Sequence, residues 1–300
     1  MSTNLPPVIA DALKTVEPPK PIAPSINAIQ GARNPAIVKM REDISNTGTI
    51  KLTWARILLC GGSGAGKTTT AARFGTPEQT RIIFTRSMDQ LIPLRSLGYT
   101  FFRARNWQDF SNACMYPEAL FGEPWASMPD RVLVVDDITR PKEWVIADAA
   151  EDDKGRKRNA MQQYGEVNDE MAPVAASLYA KEMHIITTSH VDIKEDPIER
   201  VEKIWADMPK GVRKIFDRDT AFIFYLDTRR PWGSRLLTME EKEVYEGVDD
   251  RFQKVVKTRY IYAKRKLDLK DETGTPLLQK WEPTDLRAVW NKITKGGASK

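Results

Sequence analysis

A chain of 300 residues with 41% hydrophobic content has room for one large α/β domain with appendages or for two small domains, and one domain plus a tail is expected. Its 46 basic and 41 acidic residues leave a net charge of +5, a mixed surface that tolerates a polyanionic partner without specifying one. Two cysteines, Cys60 and Cys114, exclude a disulfide framework, and with only His184 and His190 beside them no zinc-ligand spacing can be drawn; a reducing, cytoplasmic setting without a structural metal is expected.

Residues 1–48 carry Pro6, Pro7, Pro18, Pro19, Pro21, Pro24 and Pro35 with few aromatics, which predicts a flexible N-terminal tail ahead of a body at 49–300. The opening residues lack a basic n-region and a long apolar core, and no apolar stretch reaches about 18 residues, so a soluble, untargeted protein without membrane contact is expected. The first strong strand is Arg56 to Cys60, with Cys60 a small buried side chain, followed by a glycine-rich turn and a helix from Lys67 to Phe74. Strands follow at Arg81 to Thr85 and near Thr100 to Phe102, then a helix from Asn106 to Tyr116. Arg131 to Asp136 is apolar on both faces, as a buried parallel strand requires. The charged run between Asp148 and Asn159 reads as a surface loop, and a helix from Ala160 to Lys181 is expected to break near Pro173. The strand His184 to Ser189, a polar connection from Val191 to Asp219 and the strand Ala221 to Leu226 complete a doubly wound pattern. Beyond Asp227 come a strand at Val255 to Ala263, a turn near Gly274 and a last helix from about Pro283 to Ile293.

The segment Gly61-Gly62-Ser63-Gly64-Ala65-Gly66-Lys67-Thr68 matches G-x-x-x-x-G-K-[ST] between a strand and a helix, the context that a phosphate-binding P-loop (Walker A) needs. Its glycines let backbone N–H groups turn inward around phosphate oxygens. Lys67 is expected to reach the β- and γ-phosphates of ATP, and the Thr68 hydroxyl to ligate Mg²⁺. Thr69 either contacts the α-phosphate or is an ordinary helix residue. Asp136, at the carboxyl end of an apolar strand expected beside the P-loop strand, is the Walker B candidate and holds Mg²⁺ through water. Asp137 polarises the attacking water or caps the chain before Thr139, and Thr188, Ser189 or His190 can sense the nucleotide at the end of the following strand.

The succession ILLCGGSGAGKTT, VLVVDDIT, HIITTSH, DMPKG, FIFYLD, YAKRK and WEPTDLRAVW, over about residues 50 to 293, resembles the RecA-like core of the P-loop ATPases, and more narrowly the compact phage ATP-binding proteins related to single-strand annealing recombinases. The resemblance implies a three-layer, mostly parallel α/β fold, ATP-dependent binding of single-stranded DNA, host-cytoplasmic residence if the protein is phage-encoded, and assembly into a homo-oligomeric ring or filament. His190 then falls where such proteins keep a nucleotide-sensing residue, and Lys264 and Arg265 look like the trans-acting pair that reaches a neighbour's γ-phosphate. One departure stands out: RecA has a Glu after its second core strand, whereas this chain reads IIFTRSMDQ with Arg86 and Asp89, which implies slow hydrolysis, substitution by Asp89 or Asp137, or ATP used mainly as a conformational ligand.

In a RecA-like sheet the loops after the Walker B and sensor strands face the central groove, which implies DNA-backbone contacts from Arg156, Lys157 and Arg158 and from Lys210, Arg213 and Lys214, with Trp205, Phe216 or Trp232 stacking on bases. The same loops hold Glu151, Asp152, Asp153, Glu199 and Asp207, as an ordinary solvated face does. Two other functions fit the P-loop: a nucleotide kinase, with Arg229, Arg230 and Arg235 imitating a lid, or a non-hydrolysing ATP-gated scaffold that recruits proteins through the Pro-rich tail.

Overall fold

The computed structural model describes residues 53–122, 125, 127–128, 130–150, 159–196, 201–228, 233–248, 254–265, 270 and 273–296. The tail expected at 1–48 and most of the charged loop after Asp148 lie outside them.

Six parallel strands among the described residues make the centre of the fold: β1 (Arg56–Gly61), β2 (Thr80–Phe84), β3 (Thr100–Arg103), β4 (Val132–Asp136), β5 (His184–Ser189) and β8 (Phe222–Asp227). They stand in the order β8, β1, β5, β4, β2, β3. All positions of β4, β5 and β8 are buried, because helices cover both faces of the sheet. Alternation along β1 shows the two cores: Leu58 and Cys60 point into one, Ile57 and Leu59 into the other. Thiol burial pushes Cys60 up to about 12, so it behaves as a small inert core residue.

The first core is closed by α3 (Trp107–Met115), α5 (Thr139–Asp148), α6 (Ala160–Tyr179) and α7 (Lys210–Asp219). The second is closed by α1 (Lys67–Ala72), the short α2 (Ile92–Arg95) and the terminal α8 (Leu286–Gly296), whose Leu286, Val289, Trp290 and Ile293 face Phe74 and Phe222. A short α4 (Pro117–Phe121) follows α3 directly. The result is a three-layer α/β P-loop fold of RecA-like type with a mostly parallel central sheet.

Three expectations are corrected. Helix α6 runs unbroken through Pro173. A proline inside a helix costs about 3 kcal/mol, but a continuous apolar stripe from Val167 through Met171, Val174 and Leu178 to Tyr179 is buried, and its N-terminus is closed by a capping box in which Asn159 and Gln162 each accept the other's backbone N–H at 3.0 Å. The stretch from Val191 to Asp219 is no loop: it forms β6 (Val191–Asp196), β7 (Val201–Ala206) and α7. With β10 (Glu241–Val248) and β11 (Lys254–Ile261) those strands build a second sheet of order β10, β11, β7, β6. β11 answers to the strand expected at Val255 to Ala263, whereas β6, β7 and β10 are rich in charge on both faces, so apolar alternation does not betray them; ladder hydrogen bonds and cross-strand pairs hold the sheet, such as Arg259 stacked 4.2 Å over the Tyr245 ring and paired with Glu202 at 3.1 Å.

The third correction concerns Asp136. Its strand is not the neighbour of the P-loop strand, because β5 lies between β1 and β4. At the free edge of β8, β9 (Arg235–Leu237) pairs with the carboxyl half and β12 (Lys264–Arg265) with the amino half, and β13 (Trp281–Glu282) extends β9.

Candidate nucleotide site

The carboxyl ends of β1, β5 and β4 converge on one side of the sheet, the position where open α/β sheets bind ligands. The loop from Gly61 to Gly66 leaves β1 there. An added Cβ at Gly61 would stand 2.9 Å from the Leu226 carbonyl oxygen, so the loop departs from β1 only because that side chain is missing. Gly66 caps α1 in the left-handed region at φ 86°, a conformation that turns the loop's amides inward and that L side chains rarely adopt.

Lys67 is 6% exposed and donates from Nζ to the Gly61 and Gly62 carbonyl oxygens at 3.0 and 2.8 Å. Burial lowers its pKa, with Asp136 and Asp137 opposing that shift. A buried ammonium hydrogen-bonded to loop carbonyls is complemented by phosphate oxygens. Thr68 Oγ1 donates to Asp136 Oδ2 at 2.7 Å, and Thr188 Oγ1 donates to Asp136 Oδ1. Burial raises the Asp136 carboxyl, and the two hydroxyl hydrogen bonds work against that rise. Hydroxyl and carboxylate oxygens meeting beside a phosphate loop are the donors that Mg²⁺ prefers, so the residues fit the ion that the motif implies. Among the described residues, no group of three His, Cys, Asp or Glu side chains could form an all-protein metal cage.

Asp137 is 1% exposed and fully engaged. Its Oδ1 accepts the backbone N–H groups of Thr139 and Arg140 at 3.0 Å each, so it caps α5. Its Oδ2 accepts Arg86 Nε at 2.7 Å and lies 3.2 Å from His190 Nε2. Arg86 Nη2 also contacts His190 Nε2, so the guanidinium lies between the Asp137 carboxylate and the imidazole. Burial, then Lys67 and Arg86, hold the His190 pKa below its ordinary value, against the pull of Asp137. Of the two readings of Asp137, capping is the one that the geometry realises. Asp89 is exposed in a 3-10 turn, accepting the Ser87 hydroxyl at 3.1 Å.

An AAA domain family matches residues 53–265, a span that takes in every element just described from the P-loop to β12. The chain belongs to the AAA domain family. This AAA domain is therefore a P-loop ATPase core, which implies a nucleotide and, as a rule, Mg²⁺. No curated protein matches the chain. Among solved structures, the cytoplasmic domain of the Thermomonospora curvata Type VII secretion ATPase EccC is similar at 15% identity and a TM-score of 0.29, covering 69% of this chain and 24% of that one, and this likeness carries no further weight.

Other expected site residues of the AAA domain are scattered. Thr69 accepts the Arg73 N–H through its carbonyl, an ordinary bond of α1. Lys264 and Arg265 sit opposite Ile223 and Phe222, whereas the P-loop leaves from beside Leu226, about 10 Å farther along β8 at the usual strand rise. Both are folded onto their own chain: Lys264 Nζ donates to the Asp217 carbonyl and Arg265 Nη1 to the Leu278 carbonyl, each at 2.7 Å. Arg156, Lys157, Arg158, Trp232, Arg229 and Arg230 lie outside the described residues. Phe216 is a core residue, 2% exposed and edge-on to Tyr179, which corrects its expected role in base stacking.

Lys210 and Arg213, by contrast, line a groove of about 470 Å³ with Trp205, Tyr164, Lys142 and Lys194. The Arg213 guanidinium stacks 4.7 Å from the Trp205 ring centroid, and Lys214 is exposed one residue farther along α7. The groove touches the nucleotide site: the Asp207 N–H donates to the His190 carbonyl at 2.8 Å, and Lys142, on the helix capped by Asp137, pairs with the Asp207 carboxylate at 2.5 Å. Sequence reading missed Arg86 and Thr188 as partners of the two acids; their only signal was position at the ends of neighbouring strands.

Proposed function

We propose that this protein is an ATP-binding, slowly hydrolysing ATPase that binds single-stranded DNA in phage recombination or replication and works as a homo-oligomer. The observation that carries the DNA part is the groove of Trp205, Arg213 and Lys210, whose wall is hydrogen-bonded to His190. Cations and aromatic faces together suit a single strand, whose phosphates need charge and whose bases need flat partners. Movement of His190 on nucleotide binding would reach the groove through Asp207.

In this reading Lys67 and the amides of residues 61–66 hold the phosphates, and Thr68 and Asp136 hold Mg²⁺, Asp136 through water. When bound, Mg²⁺ supplies neutralisation of the developing phosphate charge. Asp137, tied to Arg86 and the α5 cap, and Asp89, exposed on its turn, are both poor candidates for activating water, which supports slow turnover and ATP as a conformational ligand. Lys264 and Arg265 join a neighbour's site only by leaving the carbonyls of Asp217 and Leu278.

ATP hydrolysis with Mg²⁺, with and without single-stranded DNA and across a salt series, tests the reading, with Lys67→Ala as control. Slow basal turnover that DNA stimulates, and that salt and the substitution abolish, is the expected result. ATP binding without any DNA effect overturns the DNA-dependent reading in favour of a scaffold. Transfer of the γ-phosphate to a nucleoside monophosphate identifies a kinase instead.

A further inference from the structure

A second crevice, of about 450 Å³, opens at the carboxyl ends of β2 and β3 beside the first turn of α5. Strands β4 and β5 separate β2 from the P-loop strand, and no residue of the loop 61–68 lines this crevice. Its walls include Arg86, Arg103, Arg140, Ser87, Thr139 and Glu143.

Three guanidinium groups from three separate elements converge there against one carboxylate. Arg86 is anchored to buried Asp137, which fixes its fork in place. Arg140 pairs with Glu143 at 2.9 Å, but both side chains are more than half exposed, and such surface pairs contribute little. The Arg103 side chain, exposed at the end of edge strand β3, makes neither a hydrogen bond nor an ion pair with a described residue. Like charges gathered in a concave wall repel one another unless an anion sits among them. Planar guanidinium forks beside hydroxyls match the oxygens of a phosphate; with Arg86 balanced by Asp137 and Arg140 by Glu143, Arg103 leaves one uncompensated positive charge, and three converging forks offer more N–H donors than the two free oxygens of a diester can accept, which favours a monoester. The volume exceeds that of a bare phosphate and falls in the range of about 300–1,000 Å³ common for small-ligand pockets.

We propose that this crevice binds the terminal phosphate monoester of a nucleotide-sized ligand, as a site separate from the P-loop. The group can come from a free mononucleotide or from the 5′ end of a DNA strand; the phosphate chemistry is the same. Since Arg86 belongs both to the crevice and to the contact with Asp137 and His190, occupancy is felt at the nucleotide site.

The test is calorimetric titration of the full chain with its P-loop saturated by a non-hydrolysable ATP analogue and Mg²⁺, whose own binding is measured separately and reports on the P-loop. The probes are dTMP, thymidine and short oligothymidylates with and without a 5′-phosphate, at constant ionic strength. We expect dTMP to bind and thymidine not to bind. Arg103→Ala should weaken dTMP about tenfold while leaving the analogue's affinity unchanged, and Arg103→Lys should recover part of the loss. Competition by the 5′-phosphorylated oligomer alone identifies a strand end as the source, and competition by dTMP alone identifies a free ligand; either supports the site. Absence of dTMP binding, equal binding of thymidine, or dTMP affinity unchanged in both Arg103→Ala and Arg140→Ala overturns it.

Discussion

Arg86 donates to one oxygen of the Asp137 carboxylate, 51 residues away, at 2.7 Å while the other oxygen caps α5, so one buried acid ties the end of β2 to the start of a helix. Removing it strands a half-buried guanidinium and two helix amides. Asp137→Ala should therefore destabilise the fold by about 3 kcal/mol, the range for breaking a buried pair. Asp137→Asn keeps a cap acceptor and should cost less. Urea unfolding of both variants measures this; equal losses would show that the cap contributes nothing.

Thr68 and Asp136 are joined at 2.7 Å and stand where Mg²⁺ is expected. Thr68→Val and Asp136→Asn should each weaken Mg²⁺-dependent ATP binding about 10–100-fold, with Thr68→Ser close to the unaltered protein. Titrations with and without Mg²⁺ are the measurement, and a Thr68→Val protein that keeps its full Mg²⁺ response would remove Thr68 from the site.

His184 is buried among Trp54, Phe74 and Trp290, and its Nδ1 accepts the Ala55 N–H at 2.9 Å. Nδ1 must be unprotonated to do so. Burial first, then Arg287, lower its pKa from 6.5 to about 4, with Asp130 at 3.9 Å opposing. The unfolded chain thus binds the proton more readily than the folded one. Stability from this group is complete above pH 6.5 and is lost as pH falls toward 4. The loss is on the order of 3 kcal/mol. His184→Asn, which offers Ala55 a neutral acceptor, should flatten that part of the stability profile; unchanged pH dependence would assign the acid sensitivity elsewhere.

Gly61→Ala places a methyl group 2.9 Å from the Leu226 carbonyl oxygen, which belongs to a fully paired strand and has little freedom to move. A loss of about 1–3 kcal/mol is expected, as for overpacking elsewhere. A thermal midpoint equal to that of the unaltered protein would show that β1 and β8 can spread.

If the groove of α7 binds a single strand, Arg213→Ala should lower the salt slope of DNA binding by about 1, and Trp205→Ala should weaken binding by about 1–3 kcal/mol without changing that slope. Fluorescence anisotropy with a labelled oligonucleotide separates the two effects. A Trp205 substitution that leaves affinity intact would take base stacking out of the groove.

The P-loop, the acid strand ending at Asp136, the strands β2, β3, β5 and β8 and the helices α3, α6 and α8 could be read from the chain because each makes a local demand. Gly66 must be left-handed, β4 must be apolar on both faces, and α6 shows its helical stripe within a few turns. Strands β6 and β7 escaped notice because ladder bonds and cross-strand pairs of polar side chains, not an apolar face, hold them, and Pro173 misled because tertiary burial outweighs one missing backbone donor.

What the sequence determined by itself was the chemistry of the phosphate loop, since short-range spacing and backbone conformation decide it. Only the tertiary structure decided that β5 separates the loop from its acid, that Asp137 is spent on Arg86 and the α5 cap, and that Asp207, in the groove of Trp205 and Arg213, is hydrogen-bonded to His190. Those facts depend on strand order and on pairs of buried charges distant in the chain, whose energies exist only once packing has excluded water between them.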